Sequence, residues 1–438
     1  MARSWALAVL MAGCWLGPLD GQDQTATATY NGKSAADWIG QLAAEDHLVR
    51  RRAVYVLGRL DPPPAAAIDS LVELLKDRYG IVRSYAMYAL GRIGPKAAAA
   101  VGAIIESVQN PENDQDFRYN GVKALGRIGP AAKSAEPLLL SALKSPDATY
   151  RVEAAVALWK ISQHPAALPA VLEVLRAGRG NTSDETADDA AYDATMSLLQ
   201  FGSQAAGALP DLILALGSPH PDVRRAAVTV LASLGTLAVD PIVAALEENS
   251  GVDPRAAADA LGLILEDVRI NTFYRPETTE AQLLEVAARL HSKVVPVLGR
   301  FLFDPQPEVR LSAARALARL GPSSVPVLLS ALRSENPRAK QTALDALERL
   351  ESYLPQGIPV SPGVERIKQQ SLPALIETLK SHQPEVREAA LRIFAALEIG
   401  SYGSQAAPLL RQFLRHEDPR VRRDAARALE RIQEQPTS

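Results

Sequence analysis

The chain has 438 residues and a formal net charge of −3, its acids and bases nearly cancelling. That balance excludes the global positive field that draws a protein to nucleic acid. Apolar residues make up 47% and aromatics only 5%, so the interior must be built from small aliphatic side chains. A single compact core rarely serves a chain of this length, whereas stacked repeats grow without that limit.

Residues 1–21 differ from all that follows. Arg3 precedes an apolar run from Trp5 to Leu16, then Pro18 and Asp20. The pattern predicts a secretory signal, too short to span a membrane. The single cysteine lies in Met11-Ala12-Gly13-Cys14, which resembles the bacterial lipoprotein box and implies lipidation and a lipid anchor at Cys14. Met11 stands where that box usually has Leu. The alternative is an ordinary signal, cut after Gly21 or Ala28. Either route places the protein outside the cytoplasm, in the periplasm or as a membrane-anchored lipoprotein; an uncleaved cytoplasmic start is the third alternative. Polar residues 22–34 are expected to form a flexible lead-in.

The stretch Val82–Gly94, VRSYAMYALGRIG, sets the pattern for the rest. Val82, Ala86, Ala89, Leu90 and Ile93 share one face of an α-helix. With Leu90 as the reference, the pattern returns at Leu57, Leu125, Leu158, Leu198, Leu231, Leu261, Leu317, Leu347, Phe394 and Leu429. Most steps are about 30–35 residues, the period of stacked helix pairs. The predicted fold class is therefore all-α, an α-solenoid of about eleven pairs. First helices carry a Pro, as at Pro137, Pro210, Pro326 and Pro373, which either starts or kinks a helix. Gly94-Pro95, Gly129-Pro130 and Gly321-Pro322 mark joints, with Gly expected in a left-handed cap. Repeats are assigned to 35–270, 292–350 and 371–434. The breaks between them are 271–291, with an extra helix, and 351–370, a Pro- and Gly-rich loop. A shorter loop is expected over Gly178–Asp184.

The Pro of the first helix, the Asp/Glu-Val-Arg that follows and the Ala-Leu-Gly-Arg-Ile/Leu-Gly of the second resemble the HEAT-repeat family. The likeness is greatest to its short, regular variant in phycobilisome lyase-like proteins, and it covers residues 35–434. It implies a superhelix whose second helices line a concave surface. It leaves the function open, since the family holds scaffolds, adaptors and a few enzymes.

The search for catalytic chemistry is largely negative. The histidines are His47, His164, His220, His291, His382 and His416, none in His-x-x-x-His spacing and none paired with Cys. His47, His220, His382 and His416 fall at turns, where a cation suits the end of a first helix. His416-Glu417 stands alone, unlike the several His-Glu pairs of di-iron hydroxylases built on HEAT-like repeats. Cys-x-x-Cys-His, a phosphate-binding Gly-rich loop and a nucleophile elbow are all missing. No catalytic residue, metal site or cofactor is predicted.

Two arginine patterns carry more information. Arg50, Arg83, Arg118, Arg151, Arg224, Arg310, Arg387 and Arg422, with Lys340, recur seven residues before the reference Leu. They read either as an anion-binding ladder or as braces, and the resemblance implies bonding to neighbouring turns and repeats. Asp46, Asp114, Asp147, Asp222, Glu308 and Glu385 suit helix N-termini or pair with these arginines. Positions six before, two before and two after the Leu point away from the core. They give Arg51, Tyr55, Arg59; Ser84, Tyr88, Arg92; and Tyr119, Lys123, Arg127, then Leu311, Arg315, Arg319 and Arg423, Arg427, Arg431 in later copies. Tyr and Arg dominate binding hot spots, and Asp69, Glu73 and Asp77 fall on first helices, segregating charge. The alternative is an ordinary solvated face.

The preferred reading is a non-catalytic, exported scaffold that binds a protein or peptide partner, anionic in character, along the concave face through Arg51, Tyr55, Arg59, Tyr88, Arg92, Tyr119, Lys123 and Arg127. A lyase-like enzyme or enzyme accessory subunit is the second reading, and a nucleic-acid binder the third.

Overall fold

The structure, a computed structural model, describes residues 29–178, 185–248, 250–274, 292–353, 362–397 and 400–433. The signal segment with Cys14 and residues 280–291, assigned to an extra helix, lie outside the described residues, as does most of the 178–184 loop.

The first described element corrects the expectation of a flexible lead-in over 22–34 for residues 29–34, and 22–28 lie outside the described residues. Strands β1 (Thr29–Tyr30) and β2 (Lys33–Ser34) pair antiparallel, with Thr29 opposite Ser34 and Tyr30 opposite Lys33. Asn31 and Gly32, at φ 51° and 74°, supply the two positive-φ residues that a type I′ hairpin turn needs. Ser34 then caps helix α1 (Ala35–Gly40), accepting from the Asp37 N–H while Asp37 accepts from the Ser34 N–H. This reciprocal pair is a capping box.

By contacts the chain divides into two compact units. The first holds Met1–Ser141 with Lys160–Gln163. After α1 come α2 (His47–Arg59), α3 (Ile68–Leu74), α4 (Gly80–Ile93), α5 (Val101–Gln109), α6 (Gln115–Ile128) and the start of α7 (Glu136–Ala142). The second helices α2, α4 and α6 pack side by side, with Leu57, Leu90 and Leu125 each at most 1% exposed. Val82, Ala86, Ala89 and Ile93 of the repeating stretch are buried with Leu90, as the periodicity predicts.

The second unit holds Ala142–Trp159 and His164–Ser438. Its helices are α8 (Ala148–Ser162, for the most part), α9 (Ala167–Ala177), α10 (Glu185–Ser197), α11 (Leu209–Ala215), α12 (Pro221–Leu234), α13 (Val239–Glu247) and α14 (Pro254–Tyr274). They continue with α15 (292–301), α16 (Pro307–Arg319), α17 (Val325–Arg333), α18 (Pro337–Tyr353), α19 (Pro362–Leu379), α20 (Pro384–Ala396), α21 (Ala407–Phe413) and α22 (Pro419–Gln433). Leu158, Leu231, Leu261, Leu317, Leu347 and Phe394 are buried, one per second helix, as is Leu198, which begins the 3-10 segment directly after α10. Leu429, on α22, is only partly covered. Pro221–Glu247 is apolar enough to cross a membrane by composition, but Gly235 breaks it into α12 and α13, whose apolar faces lie in the core.

Two breaks fall differently from their expected bounds. Helix α14 continues to Tyr274, past residue 270, and α19 starts at Pro362, so the second half of the 351–370 loop is helical. Pro at the first turn starts that helix, and Pro373 sits inside it. Pro210 and Pro326 occupy first turns, as expected.

The joint glycines also differ from expectation. Gly94, Gly129 and Gly235 have φ between 61° and 73° and ψ between −141° and −136°. That is mirror-image extended backbone, not the left-handed helix, and it is open only to glycine.

Seven of the eight recurring arginines are braces. Arg151 Nη1 donates to the Ser145 and Pro146 carbonyls at 2.7 and 3.1 Å. Arg310 does the same to Asp304 and Pro305 at 2.7 and 2.9 Å, and Arg422 to His416 and Glu417 at 2.7 Å each. Arg50, Arg83, Arg224 and Arg387 likewise reach the carbonyl six residues back. Each guanidinium therefore satisfies carbonyls of the turn ahead of its own helix, which the first helix leaves without partners. Asp46, Asp114 and Asp147 accept amides at helix N-termini, as expected, but Asp222 pairs with Arg225 and not with the recurring Arg224, which reaches Asp253.

Candidate partner-binding face

Helices α2, α4 and α6 approach closely because small residues meet at their crossings. A Cβ on Gly58 would lie 3.3 Å from Ala89 Cβ, and one on Gly91 would lie 3.0 Å from Ala124 Cα. In the second unit Gly262 and Ala316 repeat the contact at 3.1 Å. At these three crossings the glycine follows the reference Leu and the alanine precedes it in the next copy. Close approach brings the flanking side chains over the neighbouring helix. Tyr88 Cδ1 would be 3.3 Å from a Cβ on Gly58, and Arg127 Cδ 3.6 Å from one on Gly91.

The result is a row of cation–aromatic pairs. The Arg59 guanidinium lies 5.5 Å from the Tyr55 ring centre, Arg127 lies 5.7 Å from Tyr88, and the Lys123 ammonium lies 5.5 Å from Tyr119. The Arg59 and Lys123 pairs form within one helix, and the Arg127 pair bridges α6 to α4. Tyr55 and Tyr88 remain 41% and 40% exposed, so half of each ring is open while a cation orients the rest. Arg92 turns instead toward the preceding repeat, 3.5 Å from the Leu60 carbonyl and 4.0 Å from the Asp61 carboxylate. Arg51 is exposed and borders a cleft next to α1 that shares Tyr55 with the row. Six of the eight residues assigned to partner binding thus form the row, while Arg92 reaches back to the preceding repeat and Arg51 borders the cleft.

Tyr85 escaped the sequence reading. Its ring lies 5.5 Å from Tyr55 at 58°, joining α4 to α2. It sits five residues before Leu90, one place beyond the positions taken as outward. The signal was available, because adjacent register positions six and five before the Leu both lie off the core stripe.

The charge segregation holds only in part. Asp69 and Glu73 are exposed on α3, whereas Asp77 lies in the turn after α3 with its side chain 4% exposed, bound to Arg50 at 2.7 Å. Burial alone would raise its pKa. The hydrogen bonds from Arg50 and the Tyr79 N–H, with the Arg50 charge, outweigh that and hold it below the usual carboxylate range.

His47, His164, His220 and His416 serve turns and packing. His47 stacks on Tyr79 with ring centres 3.8 Å apart, His164 Nδ1 accepts from the Ala166 N–H, and His416 Nδ1 from the Asp418 N–H. His220 Nδ1 lies 2.8 Å from Asp188. Among the described residues no three His, Cys, Asp or Glu converge as metal ligands would.

Comparison with known proteins agrees with this architecture. The sequence model for HEAT repeats matches residues 35–114, 103–194, 295–360 and 372–438. No curated protein matches the chain by sequence. Among solved structures, an engineered protein is similar at 21% identity and a TM-score of 0.32, over 91% of this chain and 98% of that one. Kap95p, in its structure with RanGDP, is similar at 14% identity and a TM-score of 0.44, over 91% of this chain. Kap121p bound to Nup53p is similar at 16% identity and a TM-score of 0.48, again over 91% of this chain. The chain spans 61% of the Kap95p chain and 49% of the Kap121p chain. With the repeat model matching well over half its length and a helix pair at each register position, the chain belongs to the HEAT-repeat family, in the all-α solenoid class.

Proposed function

We propose that this HEAT-repeat protein is an exported scaffold that holds a protein or peptide segment, anionic in character, along the second-helix face of its first unit. The supporting observation is the row of half-open tyrosines, Tyr55 and Tyr88, at matching register on successive second helices, with Arg59 of the same helix over one ring and Arg127 of the next second helix over the other. Such rings offer contact area at little entropic cost, and the arginines give the face its charge preference. Export rests on Arg3, the Trp5–Leu16 run and the Cys14 box.

The test replaces Tyr55, Tyr88 and Arg92 together with Ala. The variant should keep its helical circular dichroism and lose at least about tenfold in affinity for partners captured by the wild type from envelope extract and identified by mass spectrometry. Unchanged capture of those same partners would sink the assignment. Export has its own measurement, the mass of the mature N-terminus: an intact Met1 on protein recovered from the native cell would refute it.

A further inference from the structure

A second concavity opens where the hairpin meets α1 and α2. It encloses about 1040 Å³ and is lined by Lys33, Arg51, Arg52, Leu48, Tyr55 and Tyr85 among others. Three of its side chains are cations, and no carboxylate is among the lining residues. In a protein whose net charge is −3, such a concentration of one sign in one recess is a local exception.

The cations are held in place. Trp38, 1% exposed, is the anchor beneath them. Lys33 Nζ lies 5.0 Å and the Arg52 guanidinium 5.7 Å from its ring centre. The Trp38 indole N–H donates to the Tyr30 carbonyl at 3.3 Å, and the Tyr30 ring meets it edge-on at 6.3 Å. The hairpin, the indole and α2 therefore set two positive groups at the rim before any ligand arrives, which lowers the ordering cost of binding. Apolar surface lies beside them: Leu48 is 50% exposed and Tyr55 41%.

We infer that this recess is a docking site for a short acidic peptide segment that carries an apolar side chain. Its carboxylates would meet Lys33, Arg51 and Arg52, and its apolar side chain would cover Leu48 and the open side of Tyr55. Charge complementarity selects the acidic partner, and the exposed leucine and tyrosine select one that alternates acidic and apolar residues along an extended strand. The exposed apolar side chains of the recess favour a peptide over a nucleic acid or an anionic membrane, whose phosphates would leave Leu48 uncovered, and both of those are arms of the test. The inference deepens the proposed scaffold function and rests on it for the class of partner, but it uses Lys33, Arg52 and Leu48, which lie outside the tyrosine row.

The probe is a fluorescein-labelled octapeptide alternating Glu and Leu, titrated into the full chain and read by anisotropy at low and physiological salt. It should bind, weaken as salt rises, and lose measurable binding when Gln replaces Glu. Lys33→Gln with Arg52→Gln should weaken it about tenfold, and Tyr88→Ala with Arg92→Ala less than about twofold. Leu48→Glu places a negative charge on an exposed side chain without touching Trp38, and should repeat the loss even if the double variant unfolds the hairpin. Unchanged affinity in the Leu48→Glu variant would overturn the inference. So would tighter binding of oligodeoxythymidine or of phosphatidylglycerol vesicles than of the peptide. If Tyr88→Ala with Arg92→Ala abolishes binding while the recess variants keep it, the recess assignment fails and the row alone stands. If the recess variants lose the peptide while the row variants keep it but no longer capture their partners from extract, both sites stand; if the row variants also still capture those partners, the recess stands and the row assignment fails.

Discussion

The Asp77 carboxylate accepts a 2.7 Å hydrogen bond from Arg50 Nε, across 27 residues and from one helix pair to the next. The Asp77 backbone carbonyl also accepts from Arg83 Nη1 at 3.0 Å. One residue is thus bound by the braces of two successive repeats. With side chains 11% and 4% exposed, the Arg50–Asp77 pair is nearly dry, and such a pair is costly to break from one side.

Asp77→Ala should therefore destabilise the chain by about 3 kcal/mol at neutral pH, since it strands Arg50 and removes the acceptor of the Tyr79 N–H. Urea unfolding of the two proteins checks it. The Asp77 pKa is lowered in the fold, so between the folded and unfolded values the unfolded chain holds more protons and stability rises with pH. The gap between wild type and variant should be complete above the ordinary carboxylate pKa of about 3.9 and close as pH falls through the lowered value.

Asp259 should behave in the opposite sense. Burial raises its pKa despite the Ser312 hydrogen bond and the charges of Arg255, Arg315 and Arg319. The folded chain then holds more protons than the unfolded one, and stability falls as pH climbs from the ordinary carboxylate value through the raised one. Asp259→Asn should flatten that slope and melt no lower than wild type at pH 7. A variant that melts lower there, with the slope retained, would show the charged carboxylate to be favourable.

Glycine substitutions should separate close approach from helix propensity. Gly91→Val drives a side chain into Ala124 Cα and Cβ, 3.0 and 3.1 Å from the added Cβ, and should cost about 1–3 kcal/mol. Gly102, exposed on α5 with nothing within 4 Å of an added Cβ, should gain up to about 1 kcal/mol as Ala. Equal effects at the two positions, measured by thermal melting, would refute the packing rule.

Leu125 is fully buried. Leu125→Asp places an unpaired charge in the core and should cost several kcal/mol, about 3–5. A melting temperature within a degree of wild type would contradict the register.

The helices were legible because their signal is local and repeated. Val82, Ala86, Leu90 and Ile93 follow a 3.6-residue period, and all are buried. What escaped depends on partners distant in sequence or on turn geometry. Asp77 looks like a surface acid until Arg50, 27 residues away, is seen to fold onto it. Tyr30-Asn31-Gly32-Lys33 carries the Asn-Gly signal of a hairpin, but with strands of two residues each no alternation accompanies it. The joint glycines announced positive φ but not ψ, because glycine enters both left-handed and mirror-extended backbone without a Cβ penalty. The tyrosine row was readable by register, yet the bridge from Arg127 to Tyr88 follows from Gly91, whose missing side chain lets the helices close.

The arginine clamps have a consequence for how such a chain changes length over time. From Arg151 to Ser145, Arg310 to Asp304 and Arg422 to His416, each closes over six residues of its own strand of sequence. A duplicated helix pair would carry its clamp with it, and a deleted one would take its clamp away. Neither event would leave a turn elsewhere in the chain lacking its donor. Recombination can therefore add or excise whole modules at small cost, and Asp77, tied to both sides, marks a seam where that freedom is curtailed.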